Sequence, residues 1–466
     1  MGLMNTTARA NDNPLKTAPI GRLMLQFSIP SVIMLVVNSL YNIVDQIFIG
    51  QGVGYLGNAA TNVIFPLTVL AMAVSLMLGD GGAAFMNLCL GEGSKKDASK
   101  TAGNVIIAAL ASSILLMCVC LILIKPLCNL LGATSDTLSY AVDYGFIIAA
   151  GFPFVFFSNS VSALIRADGS PRYSMAVMVC GAVTNTILDP LFIFGFGWGV
   201  KGAAWATIIG QAASAVLCLF YLRKFKHIDF IISAVKLELK TAGRICALGI
   251  SSFITQASIC LVLFLGNNLI THYGAQSIYG ADIPLAAFGI TMKVNQIMLG
   301  VCIGITVGSA PILSFNYGAK QIRRVQKTIL CCIAASVAVM FLATIAYEFF
   351  PQYIVMIFGT GSELYRQFSI RVFRIHLCLS VLSTFQTVAS IFFQAIGKPV
   401  KSMVISVSRW VVFLIPAMLV MSYFTGVDGV LWAGPIADGL SFALALPLVI
   451  VQFAKFKAPS LSNTSA

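Results

Sequence analysis

Apolar runs of about 20 or more residues recur twelve times along the chain, at roughly 23–49, 59–89, 101–124, 139–165, 172–196, 203–222, 245–272, 283–315, 327–349, 371–396, 402–424 and 430–454. Gly, Pro or charge breaks each run from the next. A bilayer core ~30 Å thick is crossed by ~20 helical residues rising ~1.5 Å each. The pattern therefore predicts twelve transmembrane helices. A transmembrane barrel would instead show ~10-residue segments of alternating polarity, and these runs are too long and too uniformly apolar. The expected fold class is an all-α polytopic membrane protein. Composition points the same way. Of 466 residues, 58% are hydrophobic and 10% charged, with a mean hydropathy of +0.92; soluble domains hold ~45–50% and ~25%. A soluble enzyme, a secreted disulfide scaffold and a disordered chain are excluded.

The net charge of +13 is not a nucleic-acid signal. With both ends of a twelve-span chain on one side, 22 of the 29 Lys and Arg fall at that side. Arg9, Lys16, Lys95, Lys96, Arg166, Lys236, Arg324, Lys398 and Lys455 are among them. The opposite loops hold Lys125, Lys201 and Arg366, with Arg371 and Arg374 where span ten begins; Lys293 and Arg409 lie inside spans. This bias predicts cytoplasmic termini and a multi-pass protein of the plasma (inner) membrane. The polar stretch Met1–Pro19 does not read as a signal peptide. Nearly all twelve cysteines sit in apolar runs without Cys-x-x-Cys or a nearby His, as small packing residues do.

The chain repeats itself. Arg166-Ala-Asp-Gly169-Ser-Pro171 matches Gln394-Ala-Ile-Gly397-Lys-Pro399, and Gly199-Val-Lys-Gly202-Ala-Ala-Trp205-Ala matches Gly426-Val-Asp-Gly429-Val-Leu-Trp432-Ala. Ala59-Ala60 and Gly91 find partners in Ala286-Ala287 and Gly318, always at an offset of 227 or 228. The expected organisation is a cytoplasmic segment (1–22), a first six-span lobe (23–222), a basic linker (223–244), a second lobe (245–454) and a cytoplasmic tail (455–466). An even number of spans per repeat gives both lobes one orientation and a pseudo-two-fold axis along the membrane normal. Parallel repeats are a transporter design, with substrate bound between rocking lobes.

An ionisable side chain inside a span costs about 2.5–3.5 kcal/mol on insertion scales, so each invites a functional or structural explanation. Span one carries Asn38, Asn42 and Asp45 at i, i+4, i+7, with Tyr41 one turn below Asp45; span five carries Asn185 and Asp189, and span six Thr207. Counted from the span ends, Asp45, Asp189, Thr207 and Tyr144 lie at similar depths in the outer half of the first lobe, where they can converge. Two carboxylates meeting in low dielectric repel, so one must hold a proton or both must share a cation. Pro30 and Pro190 offer points where helices bend. The plainer reading is helix capping by fixed neutral acids. In the second lobe the buried charges are Lys293, Arg409 and Asp438, and a Lys293–Asp438 pair is compatible in depth. These read as a structural ion pair or as a second proton or substrate group. Asp80, between Gly79 and Gly81, reads as a gating or a packing residue. His272 and His376 read as structural.

No catalytic motif is present: no P-loop, no His-Glu-x-x-His, no Gly-x-Ser-x-Gly and no Asp-Asp-x-x-Asp run. The chain reads as no enzyme and as requiring no cofactor or structural metal. Coupling energy must come from an ion gradient.

Ile29-Pro30 followed by Tyr41-Asn42-x-x-Asp45-x-Ile47-x-Ile49-Gly50, then Gly91-x-Gly93, the paired Gly-x-Pro loops, Asn185-x-x-x-Asp189-Pro190 and the two Gly-Val-x-Gly-x-x-Trp-Ala segments resemble the multidrug and toxic compound extrusion (MATE) family, in its bacterial MepA-like and DinF-like branch. The resemblance spans Leu23 to Phe453. It implies two six-helix lobes forming a V, a central cleft, and antiport of amphipathic, often cationic xenobiotics against H+ or Na+. It maps the family's first-lobe cation site onto Asp45, Asn185, Asp189 and Thr207, with Tyr144 and Tyr41 nearby. Span seven offers Gln256 and span ten Arg371, Arg374 and His376 where a NorM-like branch carries acids, so no second-lobe Na+ site of that kind is implied. Phe65, Phe154, Phe288 and Met292 are candidates for the cleft wall. Expected partners are small-molecule substrates and the bilayer, with no nucleic acid, and the chain is expected to act as a monomer. The alternative is a flippase for lipid-linked precursors, which would grip diphosphate with cleft cations such as Lys293 and Arg409.

Overall fold

The computed structural model describes residues 13–228, 237–280, 282–357 and 362–457. Arg9, Lys236 and the segments before Asn13 and after Lys457 lie outside the described residues, as does the middle of the linker. Every regular element among the described residues is helical. After the short α1 (Pro14–Thr17) come α2 (Ile20–Val53), α3 (Tyr55–Gly91), α4 (Lys95–Leu130), α5 (Leu138–Ala150), α6 (Phe152–Ala167), α7 (Pro171–Pro190) and α8 (Gly199–Leu222). These form the first bundle. The second holds α9 (Leu239–Ala275), α10 (Asp282–Gly318), α11 (Ile322–Phe349), α12 (Pro351–Ile357), α13 (Glu363–His376), α14 (Ser380–Ala395), α15 (Pro399–Val407), α16 (Ile415–Thr425) and α17 (Val427–Lys457). Short π-helical turns follow α7 at Leu191–Gly195 and α15 at Ser408–Leu414.

Ten helices are single candidate spans, and two bent pairs complete the expected twelve. The α5–α6 pair bends by 48° at Gly151, where Pro153 in the first turn of α6 has no N–H to continue the ladder. The α13–α14 pair bends by 47° across 377–379. The helices overrun the apolar runs that announced them. Lys95, Lys96, Lys100 and Lys125 sit on α4 rather than in loops. Arg366, Arg371 and Arg374 sit on α13, where they meet Glu363, Asp428 and the Glu348 carbonyl. Helix continues as long as its charged flank finds partners or headgroups, so charge does not mark its end. Large apolar side chains such as Leu115, Ile122, Phe264, Leu342 and Tyr423 point outward, as a lipid-facing surface requires.

The bundles meet along two seams, α2 against α10 and α3 against α9. Glycine makes both possible. A Cβ on Gly249 would fall on the Met77 carbonyl, and one on Gly81 on the Ile245 carbonyl, so these backbones touch directly. Along α10 the same helix face carries Gly308, Gly304, Gly300 and Gly289. A Cβ at Gly308 would lie 2.7 Å from Phe27 and at Gly304 2.6 Å from Val32; at Gly300 the nearest atom is 4.0 Å away on Leu35, and at Gly289 nothing lies within 4 Å. The seam is sealed at the basic end, where Gly308 meets Phe27, and parts toward the other.

Polar links fasten the sealed end. Ser252 Oγ–H on α9 donates to Asp80 Oδ2 on α3 at 3.0 Å, and Gln394 Nε2 on α14 donates to Ser252 Oγ at 3.2 Å. Arg166 Nη2 lies 3.6 Å from Asp80 Oδ1. Arg166 is thus no free loop cation: it is buried at the end of α6 and held by an acid. Arg324 donates to the carbonyls of Ala18 at 2.7 Å and Leu15 at 3.1 Å, which fixes α1 against the second bundle.

Candidate functional site

Three helices of the first bundle assemble one polar cluster. α2 brings Tyr41 and Asp45, α7 brings Asn185 and Asp189, and α8 brings Thr207. Asp45 is 8% exposed, Asn185 2% and Asp189 0%. The two carboxyl groups are direct neighbours. Asn185 Nδ2 donates to Asp189 Oδ1 at 3.3 Å and to Thr207 Oγ1 at 3.2 Å. Tyr41, and Tyr144 from α5, lie within electrostatic reach of both acids. Tyr144 is itself buried. Of the first-lobe residues singled out in the sequence, Asp45, Asn185, Asp189, Thr207, Tyr41 and Tyr144 are thereby brought together, while Asp80 lies apart in the polar link at the sealed end.

Asp189 occupies the last turn of α7 before Pro190 and the π-helical turn. Such a turn widens the helix and re-aims side chains, and it recurs at functional sites.

Among the described residues no Lys, Arg or His forms an ion pair with Asp45 or Asp189. Asp45 Oδ1, Asp189 Oδ2 and Asn185 Oδ1 are buried acceptors without hydrogen-bond partners. Each such orphan costs about 1–3 kcal/mol. Three of them in one cluster make a place that a proton or a small hard cation would relieve. Carboxylate, amide and hydroxyl oxygens are the ligand types such a cation takes.

Beside the cluster lies a small, partly open pocket lined by Asn38, Tyr41, Met178, Asn185, Thr207, Gln211 and Ser214, with Gly181, Ala182 and Gly210. Tyr41, Asn185 and Thr207 thus belong to both the acid cluster and the pocket. Sequence reasoning missed Gln211, Met178 and Ser214. Gln211 stands four residues after Thr207, and Gly181 four before Asn185, so helical spacing from residues already singled out carried that signal. Asn38 lines the pocket. Asn42 does not line it: its side chain is exposed and folds back to donate to the Asn38 carbonyl at 2.6 Å.

The second bundle departs from expectation. Asp438 does not pair with Lys293; Arg409 Nε donates to its Oδ1 at 3.0 Å, with both side chains buried. Arg409, on the π-helical turn, also lies 4.2 Å from the Trp410 ring. The turn swings Arg409 toward α17, a reach that apolar periodicity does not reveal. Lys293 stays exposed on α10. Phe288 is no cleft-wall residue: it is 3% exposed in the second-bundle core, edge-on to His376 at 5.3 Å, and Met292 packs against that core. Phe65 and Phe154 are exposed. His376 Nδ1 lies 3.2 Å from the Leu431 carbonyl on α17, a link between helices, and His272 bonds Gln276 one turn along its own helix.

A family model described as MatE matches residues 30–191 and 252–420. The chain is 24% identical over 435 residues to the multidrug export protein MepA of Staphylococcus aureus, covering 93% of this chain and 94% of that protein. It is 26% identical to the FAD transporter of Shewanella oneidensis, covering 91% and 93%. The solved structure of the MATE multidrug transporter DinF-BH, determined as a ligand complex, superposes with a TM-score of 0.88 at 31% identity, over 96% of this chain and 99% of that one.

Proposed function

The chain belongs to the MatE family of membrane transporters, and from that premise we propose that it exports amphipathic organic compounds, cationic ones among them, by antiport against H+ or Na+. The observation that carries this reading is the pair of buried acids, without a cationic side chain, that shares Asn185 and Tyr41 with a pocket. A cation arriving from the open end would occupy Asp45, Asp189, Asn185 and Thr207. Its arrival would pull on α2 and on the broken end of α7, where Pro30 and Pro190 lower the resistance to bending. The pocket wall would then move with the acid cluster, and the substrate would lose its seat. The glycine-lined basic end, closed while the other end is open, supports alternating access by rocking of residues 23–222 against 245–454. The basic bias of that end supports cytoplasmic placement of the termini, with 1–22, 223–244 and 455–466 as the exposed segments.

The flippase alternative relied on Lys293 and Arg409 as paired grips for diphosphate. Arg409 is engaged by Asp438, which leaves one cation and favours the exporter. The test is dye efflux from proteoliposomes under an imposed pH or Na+ gradient. Wild type should respond to one gradient, and Asp45→Asn should abolish the response. Unchanged gradient-driven efflux in Asp45→Asn would remove the coupling site.

A further inference from the structure

Lys293 has an unusual position. Helical spacing puts it on the face of α10 that carries Gly300, Gly304 and Gly308, the face turned toward α2. The last contacts on that face set Gly300 against Leu35 and Ser39, each 4.0 Å from where its Cβ would lie. Seven residues beyond Gly300, about 10 Å along the helix axis, stands Lys293 on α10. Seven residues beyond Leu35 stands Asn42 on α2. Both side chains are exposed, and the helical count sets them at one level on the two sides of the parting seam. Lys293 forms no ion pair among the described residues, whereas Arg366, Arg371 and Arg409 of the same bundle are held by Glu363 at 2.8 Å, Asp428 at 2.7 Å and Asp438 at 3.0 Å. Asp45 and Asp189 are buried inside the first bundle. The fixed charge that the cleft presents at this level is therefore positive.

We propose that Lys293, with Asn42 opposite, receives an acidic group, a phosphate or carboxylate, of an amphipathic substrate whose apolar body reaches the pocket at Tyr41 and Met178. This rests on the reading of the cleft as the transport path and, among its amphipathic substrates, favours compounds with an anionic end over lipophilic cations. An ammonium meets such a group as a point charge with rotatable donors, while a lipophilic monocation would be repelled there. Asn42, whose amide nitrogen already donates to the Asn38 carbonyl at 2.6 Å, brings a polar but uncharged group to the same level.

The experiment compares riboflavin 5′-phosphate with riboflavin, one ring system with and without the acidic group, and with a rhodamine ester dye as a lipophilic cation. Uptake is measured in proteoliposomes under the gradient that drives wild type. Wild type should prefer the phosphate-bearing flavin. Lys293→Met should lower its transport relative to riboflavin by roughly tenfold or more, through KM, by loss of a charge-assisted contact. Lys293→Arg should largely restore the ratio, which a purely structural lysine would not require. The ratio is read within each preparation, so a change in yield does not disturb it, and Lys293→Gln serves if the Met variant assembles poorly. A ratio unchanged by Lys293→Met, or a wild type that moves only the rhodamine, overturns the proposal and leaves the exporter standing. Absence of gradient-driven flux for all three probes, with Asp45→Asn identical to wild type, overturns the exporter as well.

Discussion

Each bundle buries acid in its interior, and the two do it differently. In the first, Asp45 and Asp189 face each other without a cationic side chain, beside an open pocket. In the second, Asp438 is closed off by Arg409 at 3.0 Å. The internal repeat makes the comparison residue by residue. The Trp205–Trp432 match places Gln211 opposite Asp438, and the Pro171–Pro399 match places Gly181 opposite Arg409. Gly181 and Gln211 line the pocket of the first bundle; their counterparts form the ion pair of the second. Arginine could not occupy position 181, where even a Cβ would strike Ser214 Oγ. One copy of the duplicated frame leaves its acids without a cationic side chain, and the other carries a tethered one. On the proposed mechanism this means a single coupling site per chain.

The comparison is broken most directly at the acids themselves. Asp189→Asn should reduce gradient-driven efflux by about 100-fold or more, since it removes the charge on which coupling depends. Gradient-independent exchange of the dye should survive, because the pocket keeps its amide and hydroxyl groups. Asp438→Asn should do the reverse. It strands a buried guanidinium at a cost of about 3–5 kcal/mol, read as a lower melting temperature in detergent, while efflux per folded molecule stays coupled. The double variant Arg409→Met/Asp438→Leu should recover most of that stability. Coupling lost in Asp438→Asn with stability unchanged would end the idea of a structural pair.

How much of the molecule is legible in its sequence depends on what periodicity records. Twelve spans can be counted because lipid demands long apolar runs, and the first-lobe cluster can be assembled because Asp45, Asp189, Thr207 and Tyr144 sit at similar depths, with Asn185 one turn from Asp189. Depth fixes height but not azimuth. It therefore allows a Lys293–Asp438 pair that the geometry replaces with Arg409, and residue type alone does not separate Phe288, which lies in the core, from a cleft-wall aromatic. The π-helical turns at 191–195 and 408–414 rotate the chain beyond them by an amount no hydropathy pattern carries. Arg166 misleads for another reason: a loop cation and a buried one look alike in sequence until the acid across the fold, Asp80, is located.

The asymmetry extends to the seams, where a second prediction sharpens it. At the α3–α9 seam, Asp80 takes a hydrogen bond from Ser252 and faces Arg166; the repeat places Val307 at the corresponding point of the α10–α2 seam. Ser252→Ala deletes the link across the bundles while sparing the ion pair. One hydrogen bond to a charged group is worth about 1.5–3 kcal/mol. The sealed end should therefore open more often, by roughly 10- to 100-fold in equilibrium terms. Cysteine labelling near Gly249 from the basic end would report it, with the opposite end labelled less. Equal labelling in variant and wild type would show that the glycine contacts alone hold the seam.

The smallest effect is expected at Thr207. Its hydroxyl accepts from Asn185 Nδ2 at 3.2 Å, and the same amide donates to Asp189 at 3.3 Å. Thr207→Val keeps the shape and removes that acceptor. If the acid cluster and the pocket communicate through Asn185, its amide should then favour Asp189, and substrate affinity and cation dependence should shift together. Loss of one neutral hydrogen bond corresponds to about 0.5–1.5 kcal/mol, or roughly a 2- to 12-fold change in the ion concentration giving half-maximal efflux. A matching change in dye affinity is required by linkage, since coupling between two binding sites is reciprocal. Asp438 has a guanidinium as its partner in place of such an amide. If Thr207→Val moves dye affinity and leaves ion dependence untouched, the pocket and the acids are neighbours without being coupled, and the contrast between the bundles reduces to packing.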